Sequence, residues 1–73
     1  MEGSEDLYKI LGIDHNATQE QIKSAYRKLS MIYHPDRNRN NPEATAKIQK
    51  INSTYEILGD EGRRKLYDMK NLR

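Results

Sequence analysis

A chain of 73 residues with a formal charge of +2 makes one domain at most, and a domain so small has a thin core. It has no Phe, Trp or Cys, which excludes disulfides and thiolate metal sites and leaves the aromatic share of the core to Tyr8, Tyr26, Tyr33, Tyr55 and Tyr67. No apolar run is long enough to span a membrane or form the centre of a signal peptide, so no address is visible and the cytoplasm is the default location.

Residues 1–5 read as a frayed terminus. Asp6 to Leu11 predicts a short helix, with Asp6 as N-cap and Gly12 ending it in a left-handed conformation. Leu7 and Leu11, joined by Tyr8 and Ile10, supply its buried side. Ile13 to Ala17 is a turn rich in Asp, His and Asn, in which His15 reads as an exposed residue.

Thr18 and Gln21 form a capping box, and a helix follows to about Tyr33. Ile22, Ala25, Tyr26, Leu29 and Tyr33 recur at helical spacing and make one apolar stripe. Lys23, Arg27 and Lys28 fall away from that stripe, so core and basic faces are separated.

The next stretch organises the rest. Proline fixes φ near −65° and disfavours the helical region for the residue before it. Pro35 therefore ends the helix at about Tyr33 and presents His34 and Asp36 on a stiffened loop. Asn41 and Pro42 restart a helix as N-cap and first helical residue. Its apolar stripe is Ala44, Ile48, Ile51, Tyr55 and Leu58, ending at Gly59. With so short a connection the two long helices pack as an antiparallel hairpin, with Ile22, Leu29, Ile48, Ile51, Tyr55 and Leu58 between them. Asp60 or Glu61 starts a last short helix through Arg63, Leu66, Tyr67 and Met69, weakened by Gly62. Arg63, Arg64, Lys65 and Lys70 read as its solvated face. No period-two alternation or internal repeat occurs, and the class is all-α.

The charge is unevenly laid out. Residues 1–20 hold Glu2, Glu5, Asp6, Asp14 and Glu20 against Lys9, while residues 21–40 hold Lys23, Arg27, Lys28, Arg37 and Arg39 against Asp36. The positive field centres on the helix leading into His34, which suits an acidic partner surface.

Five stretches, Asp6 to Gly12, Ile22 to Leu29, Tyr33 to Asn38, Ile51 to Leu58 and Arg63 to Asp68, resemble the J domain of DnaJ-type heat-shock co-chaperones in order and spacing. The likeness covers residues 6–68, and the domain limits expected from it are 6–70, with 71–73 as a tail. It implies a four-helix unit with a central antiparallel pair and the His-Pro-Asp loop at its tip. It also implies a monomer that binds a seventy-kilodalton heat-shock chaperone in its ATP state and stimulates ATP hydrolysis without being an enzyme. Carried over residue by residue, His34, Pro35 and Asp36 match the tripeptide needed for stimulation. Lys23, Arg27 and Lys28 match the docking face, and Tyr26, Arg37 and Asn38 match positions that support or extend the contact. Three places depart from the family pattern: Ile32 where Lys is frequent, Ile48 where Phe is usual, and the Gly-rich Gly59 to Gly62 link, which predicts a loose last helix.

Other readings have less behind them. A catalytic His34–Asp36 pair lacks a nucleophile and pocket, since Ser30 has no oxyanion arrangement. His15 and His34 lack a third and fourth ligand at suitable spacing, so no metal or cofactor is expected. The rival functions are a small basic helical nucleic-acid binder, favoured by a pI near 9.0 but opposed by Asp36, and a J-like module that binds without stimulating.

Overall fold

The computed structural model of the chain describes residues 6–71. The expected frayed segment 1–5 and the last two residues of the expected tail lie outside them. Four helices follow one another: α1 (Leu7–Leu11), α2 (Gln19–Ile32), α3 (Pro42–Leu58) and α4 (Glu61–Asn71).

Each start has a local cause. Asp6 caps α1 by accepting from the Tyr8 amide, and Thr18 and Gln21 close both halves of the capping box at α2. Asn41 accepts from the amides of Glu43 and Ala44 at α3, and Asp60 accepts from the Arg63 amide at α4. Gly12 ends α1 at φ 70°, the left-handed region that favours glycine. Gly59 lies at φ −75° after α3, so its requirement is for room. A Cβ there would stand 2.8 Å from the Tyr55 ring.

α2 and α3 run antiparallel. Gln19 at the start of α2 donates to the carbonyl of Leu58 at the end of α3, and Lys47 near the start of α3 lies over the Tyr33 ring at the end of α2. Between these points Tyr26 stacks on Tyr55 with centroids 4.0 Å apart and donates to Asn52 Oδ1. The buried core comprises Tyr8, Leu11, Ala17, Ile22, Ile51 and Leu58. Leu29 and Tyr55 pack against it half-buried. Ile48 does not join it, contrary to the stripe expectation. Thr54, also buried, satisfies its hydroxyl on the Lys50 carbonyl one turn back.

α4 is not loose, and Arg64 is not a solvated cation. Its guanidinium donates to Tyr8 Oη, Gln19 Oε1 and the carbonyls of His15 and Ala17, so it ties α1, the α1–α2 turn and α2 to α4. Tyr8 in turn donates to Asp68, and the Tyr67 hydroxyl accepts from the Leu7 amide. Burial raises the Tyr8 phenol above its ordinary range, with the hydrogen bond from Arg64 acting against it. Leu66 and Met69 point to solvent instead of the core. The sequence signal for Arg64 was its spacing of three and four from Tyr67 and Asp68, which places all three on one helix face.

His15 is exposed but engaged. Its Nε2 lies 2.6 Å from Asp6 Oδ2, and its ring meets Tyr8 edge-on. Burial acts to raise the Asp6 carboxyl, but the bonds from His15 and the Tyr8 amide outweigh it and hold the group below its usual range.

Candidate functional site

The site is the turn between α2 and α3, residues 33–41, with the adjoining face of α2. α2 ends where the Tyr33 amide bonds the Leu29 carbonyl. Pro35 then turns the chain, and the amides of Arg37 and Asn38 both donate to the His34 carbonyl. Asn40 takes φ 62°, a left-handed conformation that Asn tolerates, and delivers the chain to Asn41, the cap of α3.

His34 and Asp36 are exposed, their side chains 55% and 81% open. The Asp36 amide donates to His34 Nδ1 at 3.1 Å. That bond makes Nδ1 an acceptor and leaves Nε2 to carry the proton of the neutral ring. The Asp36 carboxylate lies 3.8 Å from Nδ1, beyond hydrogen-bond reach, and faces solvent. Among the described residues no nucleophile joins the pair. Ser30 Oγ is buried with no hydrogen-bond partner among the described residues, so no base addresses it.

Lys23, Arg27 and Lys28 are exposed along α2, and Arg37 and Arg39 are exposed in the loop. Among the described residues none of these five has an ion-pair partner. The loop carboxylate therefore sits at the end of an uncompensated row of cations. Tyr26 lies apart from that row, half-buried against Tyr55 and Asn52. Asn38 is the single residue between Tyr33 and Ala44 that is not exposed, and its carboxamide bonds inward.

The model of the DnaJ domain family matches residues 6–68, the stretch that contains all four helix starts and this loop. The chain belongs to the DnaJ domain family. The J domain is 56% identical over 63 residues to the chaperone protein DnaJ of Nitratiruptor sp., covering 86% of this chain and 17% of that protein. It is 52% identical over 64 residues to DnaJ homolog subfamily C member 5 of Homo sapiens, covering 88% of this chain and 32% of that one. The chain thus spans less than a third of the length of either relative.

Among solved structures, the J-Trx1 fragment of ERdj5 superposes with a TM-score of 0.86 at 40% identity, covering 96% of this chain and 35% of that one. The J domain of a mouse DnaJ-like protein gives 0.85 at 33% identity, covering 96% and 81%. Nothing in these matches supports the nucleic-acid reading. Among the described residues no helix is long and apolar enough to cross a membrane.

Proposed function

We propose that this J domain, residues 6–70, acts as a monomer that binds a seventy-kilodalton heat-shock chaperone in its ATP state and stimulates its ATP hydrolysis. The observation behind the reading is the exposed His34-Pro35-Asp36 turn at the end of the unpaired cations of α2. The catalytic groups belong to the partner. The J domain contributes a coupling free energy, binding the hydrolysis-competent conformation more tightly than the other.

Asp36 serves as the charged anchor and meets an arginine of the partner. Pro35 limits the loop entropy lost on docking. His34, through Nδ1, orients the Asp36 backbone. Lys23, Arg27 and Lys28 steer an acidic surface into place, Arg37 extends the contact, and Tyr26 and Asn38 support it.

Single-turnover ATPase of such a chaperone, with and without the domain, tests this. His34→Gln and Asp36→Asn are each expected to abolish stimulation while changing stability by no more than about 0.5 kcal/mol, because both side chains are exposed. Full stimulation by either variant sinks the assignment. Binding by the wild-type domain with no rate increase identifies a module that docks without activating.

A further inference from the structure

Asn38 stands among the residues expected to support or extend contact with the partner, yet both N–H groups of its carboxamide are spent inside the domain. Nδ2 lies 2.9 Å from the Ile32 carbonyl and 3.0 Å from the His34 carbonyl. Two acceptors on one side of the amide fix which end is nitrogen. The Ile32 carbonyl is one of the orphans every helix leaves at its C-terminus, and the His34 carbonyl, just beyond the helix, also accepts from the amides of Arg37 and Asn38. The Asn38 backbone adds three more bonds: its amide donates to the His34 and Pro35 carbonyls, and its carbonyl accepts from Asn41, the cap of α3.

One residue therefore joins the last turn of α2, both sides of Pro35 and the first residue of the α3 cap. The proline fixes its own φ and keeps His34 out of the helical region, but neither constraint alone sets how the turn is held against α2. The carbonyl orientations on either side of it, and so the directions in which His34 and Asp36 leave the backbone, depend on what bonds those carbonyls. The backbone amides of Arg37 and Asn38 bond the His34 and Pro35 carbonyls, but for the Ile32 carbonyl, which ties the turn to α2, the alternative to the carboxamide is water, which imposes no single geometry.

We infer that Asn38 is a positioning residue. Its carboxamide clamps the His34-Pro35-Asp36 turn onto the end of α2 and presents the tripeptide in one preformed arrangement. Its influence on the chaperone passes through His34 and Asp36. The functional half of this statement rests on the proposed stimulation of ATP hydrolysis, and the structural half does not.

Two variants of the full chain test it. Asn38→Ala removes the carboxamide. Asn38→Asp keeps an acceptor of the same shape, so a partner contact made through Oδ1 survives, but it loses both donors and turns carboxylate toward two carbonyls. In the isolated domain, both substitutions are expected to shift the amide resonances of His34, Asp36 and Arg37 and to leave those of the Tyr8–Ile22–Leu58 core in place. In single-turnover ATPase at saturating domain, both are expected to lower the maximal stimulated rate by about tenfold or more, within the loss of about a hundredfold that a misplaced functional group can cause.

Unmoved loop resonances, with only the half-saturating concentration raised, would make Asn38 a partner contact and overturn the inference. So would wild-type behaviour of Asn38→Asp, or collapse of the whole spectrum in both variants, since a loop clamp leaves the α2–α3 core intact. Shifted loop resonances in a domain whose wild type gives no stimulation would retain the clamp and reject the proposed function.

Discussion

Arg64 Nε donates to the hydroxyl of Tyr8 at 2.9 Å, across 56 positions of sequence, while that hydroxyl donates onward to Asp68 at 2.7 Å. The bond makes a half-buried cation the fastener between the first and last helices. Arg64→Ala leaves the Tyr8 hydroxyl, Gln19 and the carbonyls of His15 and Ala17 short of a donor. Its expected cost is about 2–4 kcal/mol, the scale for leaving several partly buried acceptors unpaired. Arg64→Lys should recover less than half, because an ammonium cannot reproduce the planar fork. Urea midpoints of the three proteins measure this, and an Arg64→Ala midpoint equal to wild type returns Arg64 to the solvent face.

Along α2 the core is deeper at the open end of the hairpin than at the loop. Ile22 and Leu58 are fully buried, whereas Leu29, closer to the turn, is half-buried. Ile22→Ala is expected to cost about 3 kcal/mol, which approaches the whole stability of so small a domain. Leu29→Ala removes less area from water and is expected to cost about half as much. Equal midpoints for the two variants would show that burial does not grade along the stripe as described.

The Asp6–His15 pair gives stability a definite dependence on acid. The Asp6 carboxyl is held below the usual carboxylate range in the folded protein. A depressed carboxyl contributes stability that is present above the unfolded value and is lost as pH falls through the folded one. Asp6→Asn keeps an N-cap side chain and loses the charge, so it isolates this contribution. The variant should be less stable than wild type at pH 7, and the gap should close as pH falls below about 4. A gap that stays constant from pH 7 to pH 3 would assign the cost to the cap alone.

Steering and activation separate on this surface. Lys23 and Arg27 are exposed, so their attraction for an acidic partner is screened over about 10 Å at 0.1 M salt and acts mainly on the association rate. A Lys23→Ala/Arg27→Ala double variant is expected to associate more slowly with a flatter salt dependence, yet to recover most of the maximal ATPase rate at saturation. His34→Gln should keep the salt dependence and recover no rate at any concentration. Stopped-flow association over a salt series, paired with single-turnover hydrolysis, reads both. Loss of maximal rate by the double variant with an unchanged salt slope defeats the division.

What the sequence determined by itself was local. The Asp6, Thr18 and Asn41 caps, the left-handed Gly12 and the stop at Pro35 each depend on residues within one turn, so helix starts and the place of the loop were legible from spacing. The apolar stripes of α2 and α3 also named the pair that would meet. Only the tertiary structure decided which stripe members lie deepest, because that depends on where α1 and α4 cover the hairpin. Tyr8 is therefore fully buried, while Ile48, at correct helical spacing, stays outside the core. The same holds for the polar groups. Arg64 looked like one more exposed cation, and Asn38, expected from the resemblance to support or extend the partner contact, gave no sign of its inward bonds. A hydrogen bond is chosen by which acceptors come within reach, and the carbonyls of His15, Ala17, Ile32 and His34 come within reach of these side chains only once the chain is folded.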